Sequence, residues 1–360
     1  MLSKGDDYPI HQTAEPIAVA GTDRNFYDRY FFNGQSGDGR LFFAGALGVY
    51  PHLNIMDAAV SVGADGCQHS LFASRIMGFE RMDTAVGPIA VDVIEPLKRL
   101  RLSVAANHSG IAADLVMTGR APPIEEPRFT RRIGTRTLMD ATRLTQAVAW
   151  QGFVEAAGTR HDVAGWWGTR DRSWGVRPIG LPDPQLPVPP AMPQFHWLWA
   201  PLNFGEWLLF WHSNDEADGT PWNRSGKLVH LPSGAVRPLL NSRAEISFRT
   251  GTRHAAAARI IADGVEVEIL PDGVFFMKGI GYGHPERAHG RYHGELSLHH
   301  EVLELVGVDE AAFDANHIQA LVAARLNVDG VVHAGRGVLE QLIIGPHAPS
   351  GFRDLFDLAP

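Results

Sequence analysis

Apolar and polar residues alternate at every second position along much of this chain, and no other feature restricts its fold as strongly. A strand turns successive side chains to opposite faces, whereas a helix repeats every ~3.6 residues. Residues 41–50, 83–93, 100–105, 112–117, 146–156 and 161–167 read as strands, the last two separated by the turn-like Ala157-Gly158-Thr159-Arg160. Val265 to Leu270 alternates cleanly, then Pro271-Asp272-Gly273 precedes Val274-Phe275-Phe276-Met277, a pattern that predicts a hairpin. Helical periodicity is scarce. Its best candidate is 309–325, whose second half could equally be a strand. The 38 glycines fit many short strands and tight turns. The expected fold class is all-β and mostly antiparallel.

The stretch 178–193, PIGLPDPQLPVPPAMP, holds seven prolines. Proline cannot donate to a sheet ladder, so this is an extended connection. It predicts an N-terminal domain over 1–180, a linker over 181–193 and a C-terminal domain over 194–360. Barrels are favoured over open sheets because closure removes exposed edges.

Composition narrows the function classes. The net charge of −8 repels nucleic acid and anionic lipid, so neither is an expected partner. A single cysteine, Cys67, leaves no internal disulfide and no Cys-rich metal site. No apolar run resembles a signal sequence or reaches the ~20 residues of a membrane span. The expectation is a cytoplasmic protein with a small-molecule partner, and a homodimer is compatible with it. There is no P-loop, no G-x-S-x-G elbow and no complete G-x-G-x-x-G. The run GHPERAHGRYHGELSLHH contains His284, His289, His293, His299 and His300 but lacks a compact ligand spacing. No metal and no cofactor is expected.

All nine tryptophans lie between Trp150 and Trp222. They either fill the cores at the end of one domain and the start of the next, or line a shared cavity or domain interface. The densest stretch is Gly165-Trp166-Trp167-Gly168-Thr169-Arg170-Asp171-Arg172-Ser173-Trp174-Gly175-Val176-Arg177. On a strand, Trp166, Arg170, Arg172 and Trp174 share one face, while Trp167, Asp171 and Arg177 share the other. Two arginines on one face need carboxylates, an aromatic face or an anionic ligand. Asp171 is either an ion-pair partner or, if desolvated, a proton donor. Tyr50, Asn54 and Asp57 gather polar groups at a strand end, either as a simple turn or as part of a site. His196 alternates with Trp197 and Trp199. Glu340, inside a late apolar strand, needs a partner, with arginine the leading expectation. The candidate catalytic residues are Asp171, Arg170, Asp57 and His196. The candidate substrate-binding residues are Tyr50, Asn54, Trp166, Arg172, Trp174, Arg177, Trp197 and Trp199.

The run from Arg143 through Gln146 and Gly152 to the Arg-Asp-Arg-Ser-Trp-Gly core resembles the double-lipocalin-like family typified by AttH and carotenoid 1,2-hydratase. Gly48 to Asp57 and the late GRGVLEQLIIGPHAPSGF are similar to its bacterial branch. The resemblance implies two consecutive lipocalin-like β-barrels with a lipophilic pocket. It implies cofactor-free lyase chemistry (hydration, dehydration, another elimination or cyclisation) on a bulky terpenoid or phenolic molecule. A carrier that binds a lipophile without chemistry is the alternative.

Overall fold

The computed structural model describes residues 2–11, 23–183, 185 and 192–360. These residues form antiparallel strands joined by turns and short 3-10 segments, with no α-helix among them. Consequently no described helix is long and apolar enough to cross a membrane. Of the proline-rich connection, residues 184 and 186–191 lie outside the described residues.

The chain divides into two compact units, each with its own sheet, as in a lipocalin-like double barrel. The first unit comprises Met1–Val188 and Lys278–Gly307, and the second Pro189–Met277 and Val308–Pro360. This differs from the division read from the sequence, which left 278–307 with the C-terminal half. The strand Leu296–Glu304 instead pairs antiparallel with Cys67–Ile76, placing Leu298 opposite Ala73 and His300 opposite Leu71.

The first sheet is a nearly closed barrel. From Leu296–Glu304 it passes through Cys67–Ile76, Ile55–Ala64, Phe42–Tyr50, Phe26–Gln35, Thr159–Val176 and Arg136–Ala156. It then continues through Ala112–Gly119, Arg99–Val104, Ile89–Glu95 and Ala85–Val86. A side chain helps bridge the seam, since Arg75 Nε donates to the Ala85 carbonyl at 2.7 Å. Alternation sends Tyr30, Phe32, Phe43, Leu47, Val60, Leu102, Leu115 and Trp150 into the core. Trp150 also donates its indole N–H to the Asn33 carbonyl at 2.9 Å, so its polar atom is satisfied inside.

The second sheet is a half-barrel of 9 strands. Two local readings change here. Val265–Phe276 is one strand, not a hairpin, and pairs along its length with Ile318–Val328. Pro271-Asp272-Gly273 forms a bulge within it: Asp272 is the extra residue, passed over between the Pro271–Val322 and Gly273–Leu321 pairs without ending the strand. The 309–325 candidate is not a helix. It holds a 3-10 turn at Phe313–Ala315 and then the strand Ile318–Val328, whose inward residues are held by pairing on both sides.

Docking of 278–307 onto the first unit predicts its hydrogen exchange. Ladder amides of Leu296–Glu304 should be protected in the same opening event as those of Cys67–Ile76. Rapid exchange throughout Leu296–Glu304 would contradict this assembly.

Candidate functional site

Four buried carboxyl groups can be compared, and one behaves differently. Despite desolvation, Arg172 and His11 hold Asp28 below its ordinary range. Despite burial, His347 and Ser213 do the same for Asp215. Despite burial, His317, Gln319 and Trp197 do so for Glu340. At Asp57 desolvation prevails over Arg29, the Gly290 N–H and Tyr50, and the pKa rises from 3.8 to about 6.

Asp57 lies in Ile55–Ala64, where its side chain faces away from the barrel core that receives Ala58 and Val60. Tyr50, from the end of Phe42–Tyr50, donates its hydroxyl to Asp57 Oδ1 at 3.1 Å. Burial and the nearby carboxylate raise the phenol's pKa well above 10.0, so Tyr50 stays a neutral donor. The ring passes across Gly48, where a Cβ would lie 2.2 Å from the Tyr50 hydroxyl. The Gly290 N–H donates to Asp57 Oδ2 at 2.7 Å. Gly290 has φ +72, a conformation that favours glycine. His289 Nδ1 stands 4.0 Å from the same oxygen.

The site is completed by Arg29 and Tyr282, which the sequence reading did not select, and by Arg177, which it did. Arg29, 1% exposed, lines the Asp57 pocket, and its Nε and Nη1 have no hydrogen-bond partner among the described residues. Its guanidinium lies 4.5 Å from the Tyr282 ring centroid. Tyr282 meets His289 edge-on at 4.6 Å. Arg177 stacks on Tyr27 at 4.5 Å and approaches Tyr282 at 5.4 Å. The space beside Asp57 is about 20 Å³, enough for one water. His289 and Ala288 are shared with a larger cavity of about 330 Å³, also walled by Arg177, Ile179, Leu181 and Tyr282.

The remaining sequence candidates have other surroundings. Arg170 and Arg172 point inward and are neutralised by the chain itself. Arg170 pairs with Asp7 and donates to Gln146 Oε1 at 2.7 Å. Arg172 pairs with Asp28 and lies 3.9 Å over the Tyr30 ring. Trp174 stacks on His11 at 3.7 Å, and His11 bonds Asp28 at 2.8 Å. Asp171 faces the other way, 3.6 Å from Arg143, which also binds Glu126. That is the ion-pair alternative, and Asp171 does not line the Asp57 pocket.

Asn54 adopts φ 55 at the end of a 3-10 turn, where its Oδ1 accepts the Gly78 N–H at 2.9 Å, a structural role. Trp166 belongs to the first unit's core. In the second unit Trp199 is buried, and Trp197 donates to Glu340 Oε1 at 3.0 Å. Glu340 meets His317 at 2.9 Å rather than the expected arginine. His196 is buried beside Asp215 and His347.

Two measurements test these environments. Asp28→Ala leaves Arg172 buried without its carboxylate and should cost about 3–5 kcal/mol, while the Asp28→Leu/Arg172→Met pair should cost less. Equal losses would contradict the internal-pair reading. Asp57 titrates higher in the folded chain than unfolded, so its contribution favours folding below pH 3.8 and declines as pH rises through about 6. Relative to Asp57→Asn, the wild type should therefore lose about 3 kcal/mol between pH 3.5 and 7. A pH-independent difference would refute the elevated titration.

The fold is shared with solved structures of low sequence identity. A protein assigned as AttH from Nitrosomonas europaea aligns at 16% identity and TM-score 0.55, covering 93% of this chain and 98% of that one. Kievitone hydratase from Nectria haematococca aligns at 12% identity and TM-score 0.53, covering 93% and 97%. CghA, solved with Sch210972, aligns at 10% identity and TM-score 0.52, covering 90% and 89%. No curated protein matches the sequence. Residues 2–353 match the profile of DUF8625, a family of unknown function, and the chain belongs to that family.

Proposed function

We propose that this protein is a lyase of hydratase type that adds or removes water on a bulky phenolic or related oxygenated lipophile, with Asp57 as the proton-transfer group. The observation that carries this reading is a carboxyl with a pKa of about 6 beside space for one water and next to a substrate-sized cavity. A proton-transfer group is most useful when both its forms are accessible near the working pH. The kinship of fold with a protein named as a hydratase is consistent with the proposal, by analogy alone.

The charges around Asp57 discriminate between two chemistries. A carbocation formed by alkene protonation would be repelled by Arg29 and Arg177. An oxygen gaining negative charge would be stabilised by them, and the open N–H groups of Arg29 supply the donors. The geometry therefore favours an oxyanion over a cation.

In the dehydrating direction, the Asp57 carboxylate removes a proton from the carbon that lies between a carbonyl group and the hydroxyl-bearing carbon, with the carbonyl oxygen as electron acceptor. The electron pair moves onto that oxygen, held by Arg29. When the pair returns, the C–O bond to the hydroxyl breaks, and the leaving hydroxide takes the proton from Asp57 and departs as water. Hydration is the reverse. Tyr50 and the Gly290 N–H hold the carboxyl in place, and Tyr282 supplies an aromatic wall.

Phenolic and terpenoid libraries should be incubated with the protein in H₂¹⁸O and read by mass. The expected result is gain or loss of one water, with a rate that rises as pH passes through about 6. Asp57→Asn should lose on the order of 10²-fold or more in turnover. A rate that falls over the same pH range would favour the acid-first cation route. Wild-type turnover in Asp57→Asn, or tight binding with every ligand recovered unchanged, would overturn the proposal, the latter in favour of a carrier.

A further inference from the structure

The second unit gathers two histidines and an aspartate that the proposed reaction does not use. His196 lies in Phe195–Asn203, directly across the ladder from Asp215 at the end of Trp207–Asp215. His347 follows Val331–Ile344, the strand on the other side of Phe195–Asn203. All three are buried, at 2%, 7% and 5% exposure for His196, Asp215 and His347. One ligand-type atom from each falls within 4.8 Å of the others. Asp215 Oδ2 is the focus, 4.0 Å from His196 Nδ1 and 3.8 Å from His347 Nε2.

The polar atoms there are incompletely satisfied. Both ring nitrogens of His196 and Nε2 of His347 have no hydrogen-bond partner among the described residues. A buried polar atom left without a partner is costly, so the three together are expensive to leave open. The surrounding groups aim the donors. Asp215 Oδ1 accepts from Ser213 Oγ at 2.5 Å and from Arg224 Nη2 at 3.0 Å, turning Oδ2 toward the histidines. His347 Nδ1 is engaged with Ser350 Oγ at 2.7 Å, which directs Nε2 inward. Outer partners of this kind commonly fix the orientation of metal ligands.

We propose that His196, Asp215 and His347 form a binding site for a divalent first-row transition metal such as Zn²⁺, with at least one coordination position left open. Two imidazoles and one carboxylate suit these metals, with bonds of about 2.0–2.2 Å. The ligand atoms must therefore draw together when the ion enters. Arg224 Nη2 also reaches Oδ2 at 3.3 Å and must release it, so the site should bind more weakly than one with an unencumbered carboxylate.

The test uses the full chain, stripped with chelator, titrated with Zn²⁺ by calorimetry and with Co²⁺ by visible absorption. One Zn²⁺ should bind per chain, raise the melting temperature and displace a Co²⁺ ligand-field spectrum. His347→Ala and His196→Gln should each lower affinity at least tenfold. His299→Ala/His300→Ala, which changes half-buried histidines of the other unit, should leave it unaltered. Absence of stoichiometric Zn²⁺ binding to the wild type would refute the site without reliance on any variant. Binding that persists in both His347→Ala and His196→Gln, or disappears in His299→Ala/His300→Ala, would refute it equally.

Discussion

A carboxyl group kept from water, its burial only partly offset by Arg29, is the constraint on which the candidate site depends. Asp57 receives hydrogen bonds from Tyr50 and the Gly290 N–H. These bonds hold it in place but do not cancel the cost of ionising it under cover. The cover comes from the return of residues 278–307 to the first unit. That segment brings Gly290, His289 and Tyr282 over a strand wall of small residues. Gly279, for example, lies so close to Gln68, Ser61 and Ser70 that a Cβ would meet them at 2.0–3.0 Å.

The first unit treats its other buried charges differently, and the contrast separates a site from a scaffold. Arg170 and Arg172 are fully buried like Arg29, and each has a carboxylate of its own. Their partners, Asp7 and Asp28, and the stack of His11 on Trp174 close a polar cluster inside the barrel. Such a cluster resists loss of either member, because a stranded charge is costly. Arg29 lines the space beside Asp57, and its Nε and Nη1 have no hydrogen-bond partner among the described residues. Unsatisfied donors together with an acid of elevated pKa are what proton-transfer chemistry requires.

Much of the fold was legible in the sequence. The alternation in Ala112–Gly119 identified a strand because one face enters a core, and the apolar run Phe42–Tyr50 read as a strand that is buried on both faces. The hairpin between Arg136–Ala156 and Thr159–Val176 was visible in its Ala-Gly turn. Pro271-Asp272-Gly273 misled because the same residues that make a tight turn also make a bulge, and only pairing with Ile318–Val328 distinguishes them. The route of 278–307 was unreadable for a related reason. Nothing in Leu296–Glu304 states which distant edge it will join. The site was half legible. Tyr50, Asp57 and Arg177 stood out as polar groups near aromatic strands, but the dense Arg-Asp-Arg run drew attention to Arg170 and Asp171, whose partners lie far away in sequence. Arg29 left one signal, an arginine among the aromatic residues of Phe26–Gln35, and its meaning depended on Tyr282.

The most direct measurement is the titration of Asp57 itself, followed by carboxyl ¹³C NMR on protein labelled at aspartate, with Asp57→Asn used to assign the resonance. The account predicts a midpoint near 6, produced by burial that Arg29 only partly offsets. A midpoint at or below the ordinary 3.8 would mean that Asp57 is an ionised structural carboxylate, and the proton-transfer role would be lost.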